Sequence, residues 1–237
     1  MNGFPEVSQT HLDKETRYIV ERLREKGQAW IVGGWIRNLI LGIVPGDVDV
    51  ATNLLPEEVL DIFPKSIMIG EKFGTVRVRT DIGSKEIEVT TLRSDGIYTD
   101  NRRPENVLFG VNIEEDIARR DFTINAMALD ENDILIDEYN GISDLKNSIL
   151  RCVGIAEERI REDGLRILRA FRFIGLKDNQ IMNFDPDLEN AIVNNVAVLN
   201  NISKERINEE LRKILQLNNR EIILQKMHKL GVLQIIF

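Results

Sequence analysis

The sequence predicts an α/β domain with a mixed sheet, followed by an all-helical region. Short strand-like runs are interspersed with amphipathic helical segments up to about Leu150, and strand patterns stop beyond that residue. The chain has 237 residues, of which 43% are hydrophobic, which is enough for one large domain or two small ones. We therefore expect a first domain over residues 1–150 and a second over residues 151–237.

The first domain is predicted to begin with an amphipathic helix at residues 9–26, which ends before Gly27. Strands follow at residues 29–32, 47–51, 75–79 and 87–92. Helices are expected at residues 35–41, 56–62 and 113–119, and a hairpin at residues 131–137. Residues 94–106 contain Gly, Pro and several polar residues, which predicts a long loop of the kind that often carries function.

The second domain shows helical spacing at residues 156–173, 188–196, 203–217 and 220–230. Residues 179–187 form the predicted joint inside it. The chain ends on an apolar segment, residues 233–237, that would normally pack against further protein. We therefore expect the natural protein to be longer.

Composition excludes several function classes. The 39 acidic and 31 basic residues give a formal charge of -8, which argues against broad nonspecific coating of nucleic acid but not against a local basic cleft. No apolar run reaches the roughly 20 residues that span a bilayer, and no signal peptide is visible, so we expect a cytoplasmic protein with no membrane partner. The single Cys152 excludes an internal disulfide and is predicted to be a small buried residue.

Asp47 and Asp49 form the most informative motif, Asp-x-Asp. Residues two apart in a strand project the same way, about 6.6 Å apart, so both carboxylates would face one space. Hard cations such as Mg2+ bind carboxylates together with water and substrate phosphates, and two such ions stabilise the attacking and leaving oxygens of an in-line displacement. The motif therefore predicts a Mg2+ site for nucleotidyl transfer; the alternative is a solvated strand face.

Gly33 and Gly34 lie between a predicted strand and a predicted helix, upstream of the Asp-x-Asp motif. Such a junction exposes backbone N–H groups at the positive end of the helix dipole, which favours binding of a phosphate. Arg37, one turn into the helix, would add a bidentate contact to a phosphate. The alternative is that the double glycine is only a turn.

Glu86 and Glu88 share one face of a predicted strand, because side chains alternate along it. One of them could complete a carboxylate triad. It would take a proton from an attacking hydroxyl or bind the metal that activates it. The alternative is again a solvated strand face.

The run ARRDFTINAMA places a dense polar patch directly before small apolar residues, which is typical of a site wall. Arg120 could hold a triphosphate, while Asp121 and Asn125 could bond ribose hydroxyls. The alternative is a core helix capped at its N-terminus by Asp121, with solvated arginines.

The segment REDGLRILRAFRF predicts selection of a base. On a helix Asp163 and Arg166 are i, i+3 neighbours, and Arg169 and Arg172 continue along the same slowly turning edge. A carboxylate beside a guanidinium complements cytosine and adenine, which both place an exocyclic amine beside a ring-nitrogen acceptor, whereas uracil and guanine reverse this order. The pair could select C and A without a nucleic-acid template; the alternative is a surface salt bridge.

Five motifs resemble, in order and spacing, those of bacterial-type (class II) CCA-adding tRNA nucleotidyltransferases and the related bacterial poly(A) polymerases. They are VGGWIRN, GDVDVAT, EVTTLRSDGIYTDNRRPENV, ARRDFTINAMA and REDGLRILRAFRF. The resemblance covers roughly residues 29–173. It implies an α/β head of the polymerase-beta-like nucleotidyltransferase type, followed by an all-α neck and normally by helical body and tail regions that grip tRNA.

By matching position, the resemblance implies catalytic carboxylates and nucleotide-binding residues. The catalytic carboxylates are Asp47, Asp49 and Glu88, and the first two bind Mg2+. The nucleotide-binding residues are Gly33, Gly34, Arg37, Arg120, Asp121, Asn125, Asp163, Arg166, Arg169 and Arg172. Within that set Asp163 and Arg166 act as the amino-acid template for the base, and residues 94–106 resemble the flexible loop associated with the switch to the terminal A.

The implied activity is Mg2+-dependent addition of CMP and AMP, from CTP and ATP, to the 3′ end of tRNA. Alternatives within the family are a specialist that adds only A or only CC, and a poly(A) polymerase. The 94–106 loop disfavours addition of CC alone, and the run GEKFGTV is more similar to CCA-adding enzymes than to poly(A) polymerases. An alternative of another class is a noncatalytic RNA-binding or nucleotide-sensing fragment, against which all three carboxylates argue. The oligomeric state stays open.

Two departures from the family pattern stand out. Asn38 follows Arg37 where the family usually has Asp, which removes a charge and could alter how Arg37 is held. The chain also ends within or just after the expected neck, so we expect it to bind tRNA less tightly than a chain with body and tail regions.

Overall fold

The computed structural model describes residues 7–70, 74–95, 107–178 and 180–237. These residues form two compact units. The first contains the described residues of Met1–Gly96, Asn106–Arg120 and Asn125–Gly141, and the second contains Asp121–Ile124 and the described residues of Ile142–Phe237. The units follow packing rather than chain order, so the domain boundary at residue 150 stays a prediction.

A mixed sheet forms the centre of the first unit. The strands of this unit are β1 Ala29–Val32, β2 Asp49–Thr52, β3 Ile67–Gly70, β4 Thr75–Arg79, β5 Glu86–Thr91, β6 Arg93–Asp95, β7 Val107–Phe109, β8 Ala128–Leu129 and β9 Leu135–Ile136. Seven of them join in the order β3-β4-β5-β2-β1-β8-β9, and β6 pairs separately with β7. In the large sheet β2 and β5 run parallel, whereas the other neighbours are antiparallel. The predicted mixed α/β class is therefore confirmed.

The strands form where the sequence alternates or is continuously apolar. β5 alternates between exposed glutamates and buried Ile87 and Val89, and β1 is buried along its whole length. The loop predicted at residues 94–106 instead begins inside a strand, because Ser94 belongs to β6 and pairs with Leu108 of β7. Its remainder, residues 96–106, lies outside the described residues, as do residues 71–73 of the GEKFGTV run.

The helices of the first unit are α1 Lys14–Arg24, α2 Gly34–Ile40, α3 Pro56–Ile62 and α4 Ile113–Ala118. α1 is shorter than the helix predicted at residues 9–26. Asp13 caps it, accepting a hydrogen bond from the Thr16 N–H at 2.8 Å, and Gln9–His11 form a separate 3-10 turn. The apolar stripe of α1 is buried as predicted.

The second unit is mainly helical. Its helices are α5 Gly141–Asn147, α6 Ala156–Glu162, α7 Leu165–Ile174, α8 Pro186–Asn195, α9 Lys204–Leu215, α10 Arg220–Lys229 and α11 Val232–Ile236, although the first residue of α5 belongs to the first unit. The prediction that strands stop at residue 150 was wrong, because β10 Ile149–Leu150 pairs in parallel with β11 Asn183–Phe184. β11 occupies the predicted joint. A two-residue strand is too short to show alternation, so its sequence carries no strand signal.

Cys152 is buried in the second unit, as predicted. Burial raises the pKa of its thiol to about 12. The thiol is therefore protonated at neutral pH and is a small packing residue.

Among the described residues, the helices are too short or too polar for any of them to cross a membrane.

Candidate active site

The parallel pairing of β2 and β5 brings two of the three predicted catalytic carboxylates together. Asp49 lies directly opposite Glu88 in the register, so their side chains leave the same face of the sheet. Asp47 lies outside β2, which begins at Asp49, so the prediction of a strand from residue 47 was wrong at that end. The in-and-out alternation nevertheless extends to it, since Val48 is buried between two exposed aspartates.

The pKa of Asp49 reflects the negative charges that lie close to it. The pKa of its carboxylate is raised, first because surrounding protein displaces water and then because Glu88 and Asp47 add negative charge. Arg120 and Arg37 oppose the shift. Asp49 is nevertheless an exposed residue by accessible surface, which fits a carboxylate in a recess that is open to solvent on one side.

The carboxylates suit a hard divalent cation. Within the ranges that the structure describes, no three or more Asp, Glu, His or Cys side chains are assembled as a complete metal site. A complete protein site is not needed for Mg2+, which commonly binds one or two carboxylates and takes its other ligands from water and substrate phosphates. Asp47 and Asp49 as the metal ligands stay a prediction.

Ion pairs distinguish Glu88 from Glu86. Arg77 lies across from Glu88 on β4, with its Nη2 atom 3.4 Å from Glu88 Oε1. Glu86 is engaged by two arginines, Arg77 at 3.6 Å and Arg79 at a shorter distance. Glu88 thus contacts one arginine in these ion pairs, whereas Glu86 contacts two. Glu88 is also the glutamate that lies opposite Asp49 in the strand register, which favours it as the third carboxylate.

Gly33 creates space beside Asp49. It precedes α2 with φ of +71°, a conformation that favours glycine. A Cβ atom there would lie 3.0 Å from Arg120 Nη1 and 3.8 Å from Asp49 Oδ2. Its own N–H donates to the Met127 carbonyl at 3.2 Å and thereby joins β1 to β8. The N–H groups offered to a phosphate would therefore come from the first turn of α2.

Arg37 is buried and held by two amide side chains. Its Nε and Nη2 atoms donate to Asn38 Oδ1 at 3.1 and 2.8 Å, and Nη1 donates to Asn125 Oδ1. Gly34 leaves room for this arrangement, since a Cβ atom there would lie 3.3 Å from Arg37 Nη2. Asn38 therefore orients Arg37 through a neutral oxygen.

Asp116 orients Arg120 and was not predicted from the sequence. Its side chain is 2% exposed and accepts hydrogen bonds from Arg120 Nη2 at 3.1 Å and from Arg119 Nη2 at 2.7 Å. Burial opposes the charge on Asp116, but the two guanidinium groups lower its pKa overall. The i, i+3 and i, i+4 spacing of DIARR is the sequence signal for this contact.

In the second unit, Asp121 is paired with Arg169. Asp121 is buried, and its Oδ2 atom accepts from Arg169 Nε at 2.8 Å and also from Nη2. Its Oδ1 atom accepts from the N–H of Phe122 at 2.8 Å. Burial alone would lower the pKa of Arg169, but the charge and hydrogen bonds of Asp121 raise it. The alternative of an N-capping Asp121 was wrong, since no α-helix begins there.

Asp163 and Arg166 do not lie on one helix, so that prediction was wrong. Asp163 follows the end of α6 in an extended conformation, and Asp163 and Gly164 separate α6 from α7. Arg166 instead donates to Glu162 Oε2 at 2.7 Å and to the Arg159 carbonyl at 2.8 Å. Asp163 Oδ2 accepts from Arg206 Nη2 at 3.0 Å. Each member of the predicted template pair is thus held by another residue.

Arg172 completes this cluster. Its Nε atom lies 3.1 Å from Glu210 Oε2, and its guanidinium lies 4.5 Å from the centre of the Phe173 ring. Glu210 is buried on α9. Arg206 and Glu210 were missed by sequence reasoning, because they lie on a helix about 40 residues downstream of their partners and no local spacing signals the contact.

Two family models match the chain. One, described as the poly(A) polymerase head domain, matches residues 29–151, and the other, described as a probable RNA and SrmB-binding site of polymerase A, matches residues 182–237. A CCA-adding enzyme from Geobacillus stearothermophilus is 47% identical over 203 residues, which are 85% of this chain and 49% of that protein. The chain thus spans about half the length of the curated relatives it matches.

Solved structures give the same match. The Bacillus stearothermophilus CCA-adding enzyme in complex with CTP has a TM-score of 0.82 at 41% identity, over 92% of this chain and 52% of that one. The Thermotoga maritima CCA-adding enzyme complexed with tRNA has a TM-score of 0.78 at 27% identity, over 100% of this chain and 57% of that one.

Proposed function

Because the chain belongs to the family of the poly(A) polymerase head domain, we propose that it is a template-independent nucleotidyltransferase that adds CMP and AMP to the 3′ end of tRNA. The observation that carries this proposal is the register that places Asp49 beside Glu88, with Gly33 and Arg120 next to Asp49. Carboxylates beside a guanidinium and a helix N-terminus suit a metal-bound triphosphate.

In the proposed reaction, the terminal 3′ hydroxyl of the RNA attacks the α-phosphate of CTP or ATP. The bond from O3′ to the α-phosphorus forms, the bond to the β-phosphate oxygen breaks, and pyrophosphate leaves. Glu88 takes the proton of the hydroxyl. Asp47 and Asp49 would hold Mg2+, which when bound would supply charge stabilisation to the attacking and leaving oxygens.

The arginines and glycines of the first unit position the triphosphate. Arg37 and Arg120 are pre-oriented by Asn38 and Asp116, so little side-chain freedom is lost when they bind phosphate oxygens. The first turn of α2, after Gly33 and Gly34, adds backbone N–H groups. Asn125, which accepts a hydrogen bond from Arg37, would bond a ribose hydroxyl.

The second unit selects the base. Asp163 accepts from the exocyclic amine of cytosine or adenine, and Arg166 donates to the neighbouring ring nitrogen. Asp121, Arg169 and Arg172 support the nucleotide. Similarity to CCA-adding enzymes from Geobacillus, and to structures named for complexes with CTP and with tRNA, supports this assignment of substrates. We expect the reaction to take place in the cytoplasm.

Stepwise extension of tRNA tests the proposal. Transcripts that end before CCA, after C and after CC are incubated with the chain, Mg2+ and CTP, ATP or both, and products are resolved to single nucleotides. Conversion of all three to CCA, lost in Asp47→Ala, supports the proposal. Extension of the first two transcripts that stops at CC indicates a CC-adding specialist, and extension of only the transcript that ends in CC indicates an A-adding specialist. A long A tract indicates a poly(A) polymerase. Binding of CTP without any extension favours the nucleotide-sensing alternative.

A further inference from the structure

The carboxylate of Asp163 is fixed at both oxygens. Oδ1 accepts from the N–H of Leu165 at 3.1 Å, and Oδ2 accepts from Arg206 Nη2 at 3.0 Å. The first contact is local, two residues along the chain, whereas Arg206 comes from α9, 43 residues away. An ionised carboxylate has about four acceptor positions, so these two bonds leave acceptor capacity on Asp163 for a ligand.

We propose that Arg206 is a positioning residue that sets base selectivity by fixing the direction in which Asp163 presents its carboxylate. This inference rests on the proposed function, in which Asp163 accepts from the amine of cytosine or adenine. Asp163 follows the end of α6 in an extended conformation, so helical geometry does not orient its side chain. Without Arg206 the carboxylate would keep its bond to Leu165 and could swing about it.

The ion pair of Arg206 with Asp163 is largely enclosed, since the two side chains are 24% and 18% exposed. The other template residue is also anchored from outside the pair, since Glu162 holds Arg166 at 2.7 Å. Asp163, the proposed acceptor, is thus held by Arg206, and Arg166, the proposed donor, is held by Glu162.

Selectivity for C and A over U and G depends on direction, because uracil and guanine present a carbonyl where cytosine and adenine present an amine. We expect Arg206→Gln to weaken binding of CTP about tenfold, the usual effect of losing a charged hydrogen bond, and to leave binding of UTP nearly unchanged. The ratio of the two dissociation constants should therefore narrow about tenfold. Arg206→Lys keeps the charge and one donor, so it should retain part of the ratio.

Isothermal titration of the chain with CTP and UTP, in the presence of Mg2+, gives these ratios without requiring turnover. Arg212→Gln is the matched control, since Arg212 is exposed on the same helix and the charge change is identical. Asp163→Asn and the double variant Asp163→Asn/Arg206→Gln complete a cycle. If Arg206 acts through Asp163, the double variant loses no more selectivity than Asp163→Asn alone.

The outcomes separate this inference from the proposed function. Three results together support the role of Arg206. The preference for CTP over UTP falls in Arg206→Gln, it is unchanged in Arg212→Gln, and the losses caused by Arg206→Gln and Asp163→Asn do not add in the double variant. The role is overturned if Arg206→Gln leaves the preference for CTP over UTP unchanged, or if the losses of preference add fully in the double variant. Either result leaves the proposed function intact. If Arg206→Gln fails to fold by circular dichroism, Arg206→Lys decides by the same criteria. Equal binding of CTP and UTP by the unmodified chain contradicts the proposed function, and the role of Arg206 with it.

Discussion

Asp49 in the first unit has the opposite surroundings to Asp121 and Asp163 in the second. In the first unit, Asp49 lies beside Glu88 and near Asp47, and its pKa is raised by lost hydration and by these like charges. In the second unit, Asp121 and Asp163 are each bonded to an arginine. A metal site benefits from concentrated negative charge, because the cation supplies the compensation. The base template proposed for the second unit would need a fixed direction instead, which the bonds to arginine would provide.

The largest expected effect tests the crowded carboxylates. Asp49→Asn should slow nucleotide addition about a thousandfold, because metal electrostatics contribute several kcal/mol to the transition state and about 1.4 kcal/mol corresponds to tenfold. Single-turnover extension of a tRNA transcript that lacks CCA measures the rate. Asp61→Asn, an exposed aspartate of α3, is the control and should keep the rate of the unmodified chain. A comparable loss in both variants would mean that Asp49 has no special role.

A second prediction compares the two glutamates of β5. Glu88→Gln should slow addition about a hundredfold, the lower end for loss of a general base, because Glu88 lies beside Asp49. Glu86→Gln should stay within a few-fold of the unmodified chain, although it shares the strand face and Arg77. The same extension assay measures both. The assignment fails if Glu86→Gln is the more damaging change.

A third prediction addresses the paired carboxylates. Asp121→Asn should lower the free energy of unfolding by about 2–3 kcal/mol, because it breaks a largely buried ion pair whose arginine keeps some solvent contact. Urea unfolding measures the change. Glu157→Gln removes an exposed ion pair with Arg161 from the same unit and should change the free energy by under about 1 kcal/mol. Equal effects of the two variants would contradict the comparison.

The smallest predicted effect is a gain in the free energy of unfolding, whereas Asp121→Asn should cause a loss. Because the pKa of Asp49 is raised on folding, its contribution to stability is present at low pH and is lost as the pH rises through the folded value. Asp49→Asn should therefore unfold at slightly higher urea at neutral pH, by a few tenths of a kcal/mol since the residue is exposed and screened. Below the ordinary aspartate pKa of 3.8 the two proteins should converge. A variant that is less stable at neutral pH would refute this.

Local patterns predicted the first unit better than the second. Alternation was enough to place Glu88 on an exposed strand face, and the double glycine before a helix was found as predicted. Which strand lies beside β2 is a long-range property, so the pairing of Asp49 with Glu88 could not be derived from spacing. The helical pattern continued through Asp163, and the break there became visible only in the structure. Arg206 reaches Asp163 from α9, 43 residues along the chain, and a single sequence carries no signal for such a contact.

The most direct test asks whether Asp49 of the first unit acts in catalysis and Asp163 of the second unit acts in base selection. Single-turnover addition of C and of U is compared in Asp49→Asn and Asp163→Asn, at saturating RNA. The account predicts that Asp49→Asn slows both additions by the same factor, because the metal acts on phosphate, whereas Asp163→Asn slows addition of C and not of U. If both variants change C and U in the same proportion, the second unit does not select the base and the central claim is contradicted.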